Sequence, residues 1–271
     1  NQHASGEDQA MQIPTKIIDL SMALDNDTIV DPEIMRPKIQ YVSQAENAEA
    51  MASFFPGMNA VDLPDGEGWA WEIVTLTTHN GTHIDAPWHY HSHDKDGNPM
   101  QTIDELPLDW FYRPAVKFDF RDMPDGYIVQ VSDIEAELKR IDYELQPLDI
   151  VLVNTKASEY YGTEEYLSRG IGMGKEATLF MTRDHGVRVT GIDAWGWDAP
   201  FALQQESYAR DKDALAVWQG HWAGIEQPYC HMEKLLHLET LPDHGFMVSC
   251  MPWKIKGASG GWMRCVAMMF D

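Results

Sequence analysis

His79-Asn80-Gly81-Thr82-His83-Ile84-Asp85-Ala86-Pro87-Trp88-His89-Tyr90-His91-Ser92-His93 gathers five of the chain's eleven histidines and a carboxylate into fifteen residues. Neutral imidazoles with a carboxylate suit a divalent transition metal, and three such ligands leave coordination positions open for water and substrate. His79, His83 and Asp85 form the first candidate set, with Gly81 giving the chain freedom to curl round an ion. His79 and His83 have the i, i+4 spacing of a helical HExxH pair. Gly81 and Pro87 oppose a helix there, and Asn80 stands where the glutamate would be, so that reading is rejected. The segment is instead expected as a loop leaving the end of a strand. His89 is a fourth ligand or a proton shuttle beside the ion, a role suited to a group that titrates near neutrality. His91 and His93 share its period-two face in an extended chain but are expected to face solvent.

Working outward, residues 16–21, 69–78, 115–120, 150–154, 187–192, 246–251 and 263–270 read as strands. Residues 45–55, 131–141, 178–184 and 230–238 read as helices, with Asp133 placed to complement the N-terminus of the second. No period of 20–50 residues repeats and no low-complexity linker divides the chain. The pattern predicts one mixed α/β domain over residues 1–271, strand-rich, with residues 1–13 flexible. Residues 25–68, rich in Pro, Asn, Asp and Met, read as an excursion: a lid, part of a partner interface or a packed surface loop. Phe54 and Phe55 in it, and Trp88 locked between Pro87 and His89, are candidate substrate contacts.

Composition narrows the function classes. A formal charge of −23 disfavours nucleic acid and anionic membrane surfaces, and it favours a neutral substrate and the departure of an acidic product. Cys230, Cys250 and Cys265 have no CxxC spacing, which fits a reducing cytoplasm rather than a disulfide framework. No run of about 18 apolar residues suggests a membrane span, and no signal-peptide pattern opens the chain, which begins with Asn. GxSxG, Walker A and HxE…PCxxC patterns are absent. A second histidine-rich segment holds His221, Glu226, His231 and Glu233 beside Trp218 and Trp222. Alone it reads as a surface helix with one satisfied histidine. Beside a metal it is a candidate second site, with Glu226 the rival of Glu233.

The residues His79-x-Gly81-Thr82-His83-x-Asp85-x-Pro87-x-His89 resemble the HxGTHxDxPxH signature of the cyclase family of metal-dependent hydrolases, at every fixed position. That family includes bacterial kynurenine formamidase, isatin hydrolase and cyclic-imide hydrolases. Thr190-Gly191-Ile192-Asp193, the His221…Glu233 pair and residues 252–260 extend the resemblance over roughly residues 14–271. It implies a swivelling β/β/α fold, a homodimer or dimer of dimers, and one or two Zn²⁺ or Mn²⁺ ions. It also implies that His79, His83 and Asp85 hold one ion, that Asp85 bridges to a second on His221 and Glu233, and that His89 is the catalytic acid/base. The expected activity is opening of a cyclic amide or imide, isatin-like, by a water the ion activates. Alternatives are arylformamidase activity on N-formylkynurenine, lactone hydrolysis, or a non-catalytic metal-binding protein. The excursion is longer and more aromatic than a formamidase suggests, which favours a closed, dry pocket for a flat, neutral ring.

Overall fold

The computed structural model describes residues 12–270. Most of the N-terminal stretch expected to be flexible therefore lies outside the described residues; Ile13, just inside them, is exposed. The strands are β1 (Lys16–Asp19), β2 (Lys38–Val42), β3 (Trp71–Thr75), β4 (His83–Asp85), β5 (Tyr112–Asp119), β6 (Ile128–Val129), β7 (Ile150–Asn154), β8 (Gly172–Met173), β9 (Val189–Ile192), β10 (Cys230–Glu233), β11 (His244–Ser249), β12 (Gly260–Trp262) and β13 (Val266–Met269). The helices are α1 (Ala48–Ala52), α2 (Pro87–Tyr90), α3 (Val131–Arg140), α4 (Lys175–Leu179), α5 (Phe201–Asp211) and α6 (Gln219–Glu226).

Nine strands form one sheet in the order β1-β13-β11-β5-β7-β9-β10-β4-β12. Its centre, β5-β7-β9-β10, is parallel, and both flanks are antiparallel. The run Ile150-Val151-Leu152-Val153 is apolar without alternation because β7 is covered on both faces. Val151 and Val153 pack with Phe118, Ile134 and Trp197 on one face, while Ile150 and Leu152 pack with Ile84, Met232 and Val248 on the other. Beside the sheet, α3 starts where Asp133 accepts the Gln130 backbone N–H at 2.8 Å, as its position in the sequence suggests. The protein is thus mixed α/β, as its pattern predicts.

Three expectations change. Residues 83–85 are not loop but β4, held between β10 and β12, and residues 87–90 form α2 with Pro87 in its first turn, where a missing N–H costs nothing. Residues 230–233 are strand, not helix: the β-branched residues that usually mark a strand are absent from Cys-His-Met-Glu, and pairing with β9 and β4 overrides local propensity. The strand read at 69–78 exists as β3, but it pairs with β2 of the excursion rather than joining the main sheet, and all five of its residues are exposed.

α2 and α6 cross closely, and Gly224 permits it. A Cβ at Gly224 would stand 2.3 Å from Tyr90 Cδ2. Gly224→Ala is expected to destabilise the protein by about 1–3 kcal/mol through overpacking, read as a lowered urea midpoint at unchanged slope.

Candidate metal centre

Strand alternation builds the floor of the site. In β4, His83 and Asp85 share one face while Ile84 points into the opposite core. In β10, His231 and Glu233 share a face while Cys230 and Met232 join Ile84. The antiparallel register sets His231 opposite Asp85 and Glu233 opposite His83, so four ligand-type side chains converge on one patch. His83 Nε2 is 3.1 Å from Asp85 Oδ1 and 3.5 Å from Glu233 Oε2. His231 Nε2 is 3.1 Å from Asp85 Oδ2 and 3.2 Å from Glu233 Oε1. On the other side of β4, Gly260 leaves room for an imidazole: a Cβ there would lie 2.9 Å from His79 Cε1.

Flanking elements complete the ring. The turn before β4 brings His79, whose Nδ1 lies 2.7 Å from Asp85 Oδ1 and whose Nε2 lies 3.0 Å from Ser259 Oγ. α6 supplies His221, with Nε2 3.7 Å from Asp85 Oδ2 and 3.8 Å from Glu233 Oε1. α2 supplies His89, with Nε2 3.7 Å from Asp85 Oδ2. Two ligand groups result, His79–His83–Asp85 and Asp85–His221–His231–Glu233, and Asp85 belongs to both. The His79, His83, Asp85, His221 and Glu233 singled out in the sequence are thus brought together. His231 joins them, and sequence reasoning missed it as a ligand because a helix over 230–238 would not place it beside Glu233. Its signal was the period-two spacing His-x-Glu. Glu226, the rival of Glu233, instead pairs with Lys175 and Arg183 at the surface.

The donor set fits a divalent ion by its outward hydrogen bonds. His83 Nδ1 bonds the Gly81 carbonyl at 2.8 Å, and His221 Nδ1 bonds Asp198 Oδ2. His231 Nδ1 stands 3.1 Å from both Tyr90 Oη and Tyr229 Oη; the Tyr229 hydroxyl donates to the Gly220 carbonyl, so its oxygen is free to accept from Nδ1–H. Each ring's outer nitrogen is held from behind, so that Nε2 faces inward. His83 Nε2, His231 Nε2 and Asp85 Oδ2 are buried and have no hydrogen-bonding partner. Orphaned polar atoms at such a convergence are costly unless a cation satisfies them.

Electrostatics agree. Burial raises the Asp85 carboxyl, but the imidazoles of His79, His89 and His83 outweigh it and hold it well below the usual range. Burial lowers His221, yet Asp198 and Asp85 overcome this and push it up to about 10. His79 is raised, Asp85 prevailing over burial. His89 goes the other way, to about 4: burial dominates and the neighbouring His79 and His221 add to it, against the pull of Asp85.

Above the ligands opens a cavity of about 320 Å³ whose walls include Met35, Leu167, Trp195, Phe201 and Trp218, with His79, His89, His221 and Glu233 at its base. Trp218 stacks on His221 with ring centres 4.1 Å apart and planes 4° from parallel. Trp88, Phe54 and Phe55, expected against substrate, are exposed and do not line the cavity. Trp88 is turned out because α2 presents His89 and Tyr90 inward; Phe54, in the excursion, packs instead on Trp69 just beyond it. His91 and His93 are exposed, His91 Nδ1 bonding the His93 carbonyl.

Comparison with known proteins follows the same lines. The chain is 22% identical over 223 residues to Cyclase-like protein 3 of Arabidopsis thaliana, covering 82% of this chain and 73% of that one. It is 25% identical over 199 residues to the kynurenine formamidase of Bacillus mycoides (strain KBAB4), covering 71% and 77%. Among solved structures, isatin hydrolase A from Labrenzia aggregata bound to benzyl benzoate superposes with a TM-score of 0.70 at 24% identity, over 94% of each chain. An isatin hydrolase bound to the product analogue thioisatinate gives 0.72 at 19% identity, over 94% of this chain and 93% of that one. These structural likenesses carry the fold. The family model described as "Putative cyclase" matches residues 18–199, a span that contains the whole HxGTHxDxPxH segment, and the chain belongs to the Cyclase family.

Proposed function

We propose that this protein is a metal-dependent hydrolase that opens a neutral cyclic amide or imide. The observation that carries the reading is the set of inward, partnerless ligand atoms of His83, Asp85 and His231 beneath an aromatic-walled cavity. His79, His83 and Asp85 would hold one ion and Asp85, His221, His231 and Glu233 a second, Zn²⁺ or Mn²⁺. Such an ion supplies a Lewis acid that polarises a carbonyl and acidifies water.

The chain's own groups do the rest. In the reaction a C–O bond forms between water and the carbonyl carbon, the ring C–N bond breaks, and a proton passes from water to the leaving nitrogen. His89 carries that proton. Burial keeps it neutral at pH 7, so it can accept, and once protonated it is a strong enough acid to give the proton up to nitrogen. His89 Nε2 stands over the site, 3.7 Å from Asp85 Oδ2. Trp195, Phe201 and Trp218 offer flat apolar walls, and the volume sits at the low end of the roughly 300–1,000 Å³ of small-ligand sites. The acidic surface assists release of the acid formed.

Arylformamidase activity is the second reading, supported by the kynurenine formamidase of Bacillus mycoides among the relatives. Tyr41, Phe54, Phe55 and Met58 on the excursion, and Trp69 and Trp71 just after it, are exposed, which supports use of this face as a homodimer contact. Among the described residues no helix is long and apolar enough to cross a membrane.

Protein loaded with Zn²⁺ or Mn²⁺ is expected to open isatin, succinimide or phthalimide faster than it deformylates N-formylkynurenine, followed by ring or formyl absorbance; the reverse order selects the formamidase, and no turnover of any of them removes the hydrolase reading. His89→Ala is expected to keep its metal, by elemental analysis, and lose about 10²–10⁴ in kcat. Metal affinity should rise with pH. His79 and His221 both hold their protons more tightly than a free imidazole, so an ion must displace them, and fewer remain as pH climbs towards 10. The slope is expected to be about tenfold per pH unit for each proton displaced, by calorimetry of the metal-free protein; a flat profile would contradict it.

A further inference from the structure

Asp31 and Lys234 are among the most buried charged residues of the fold, at 0% and 1% exposure, and they pair with each other. Asp31 belongs to the excursion, while Lys234 immediately follows Glu233 at the end of β10. Their remaining valences converge on three consecutive residues. The Lys234 ammonium donates to the His79 carbonyl at 2.7 Å. Asp31 Oδ2 accepts from Asn80 Nδ2 at 3.0 Å and from the Gly81 backbone N–H at 3.2 Å. Asp31 Oδ1 also takes the Trp195 indole N–H at 3.2 Å. Lys234 itself is left-handed (φ 60°), its N–H given to the Ala194 carbonyl and its own carbonyl taking the Thr82 hydroxyl at 2.6 Å.

A buried ion pair is a poor device for stability alone, because two desolvated charges recover little more than a well-packed apolar pair would. What this pair provides is placement. Gly81 is left-handed (φ 57°) and Leu24 crowds it from outside, so the peptide run from His79 to Gly81 has no regular ladder of its own to fix it. A turn with Thr77, whose carbonyl takes the Asn80 N–H at 3.2 Å and whose hydroxyl takes the His79 N–H at 3.3 Å, fixes its near end, and Asp31 and Lys234 fix the His79 carbonyl, the Asn80 side chain and the Gly81 N–H. We propose that the Asp31–Lys234 pair is a positioning strut that sets His79 for the metal position it shares with His83 and Asp85, and so couples the seating of the excursion to loading of that position. This rests on the metal reading above. By linkage, an ion at that position must stabilise the seated excursion by as much as the seated excursion favours the ion.

The experiment is a Co²⁺ titration of the metal-free full-length protein followed by visible absorption, with His79→Ala marking which part of the spectrum belongs to the His79 position. Lys234→Met and Asp31→Asn are expected to weaken that position by about 10–100-fold, the cost typical of outer partners of ligands, while leaving the Asp85–His221–His231–Glu233 position within about twofold. Asp31→Asn keeps the side chain's shape and serves if Lys234→Met does not fold. In parallel, Co²⁺ is expected to slow tryptic cleavage after Lys38 in the wild type and not in either variant. Unchanged Co²⁺ binding in the variants, or equal weakening of both positions, would overturn the strut while leaving the metal reading intact. A wild type that binds no Co²⁺ would overturn both.

Discussion

The pairing of β4 with β10 is the constraint on which the site depends. Each strand shows two ligand side chains to one face and apolar ones to the other, and the register puts the two pairs face to face. Ile84, fully buried, locks the alternation: exposing such a side chain costs about 1.5–3 kcal/mol. A slip of one residue would drive Asp85 and Glu233 into an apolar core and turn Ile84 and Met232 to the cavity, so register is strongly specified. Asp85 and Glu233 are two carboxylates held together out of water, an arrangement that repels itself unless cations surround it. The ring of imidazoles is that surrounding, and it is the reason a divalent ion suits the patch.

Around this floor the flanking elements add His79 and His221 and also aim the imidazoles. The Gly81 carbonyl, Asp198 and Tyr229 each hold the back of one imidazole, at His83, His221 and His231 respectively. α2 is only one turn long, yet Pro87 fixes its start and the close crossing at Gly224 fixes its tilt, so His89 stands over Asp85. His89, half-buried, and His221, buried, are imidazoles near the same carboxylate, and their proton affinities are pushed apart. Asp198 behind His221 raises one, whereas His89 has no such partner and desolvation lowers it. That separation is what distinguishes a candidate ligand from a candidate proton carrier.

Kinship at 19–25% identity goes with a shared fold, and in this chain the cavity walls come from outside the HxGTHxDxPxH segment. Trp195, Phe201 and Trp218 lie outside the motif, on the segment after β9, on α5 and on the turn into α6. In the proposed function, chemistry and selectivity would be carried by different parts of the sequence, so family membership speaks to the first and leaves the second to the walls.

The sequence by itself determined the mixed α/β class, most strand positions and the first candidate metal group, because those rest on local signals: an apolar run such as residues 150–153, or the imidazoles of His79 and His83 and the carboxylate of Asp85 within seven residues. It could not determine that His83-Ile84-Asp85 is a strand, since a three-residue strand has too few positions to show a period. Nor could it determine that Cys230–Glu233 is one, since its residues lack strand propensity and are extended only because β9 and β4 flank them. The place of His231 beside Asp85 and Glu233, the exposure of Trp88 and the burial of Asp31 against Lys234 were decided by the tertiary structure alone. Each depends on which face of an element meets a partner far off in the chain, 141 residues for Tyr90 with His231 and 203 for Asp31 with Lys234, and local chemistry holds no record of that meeting.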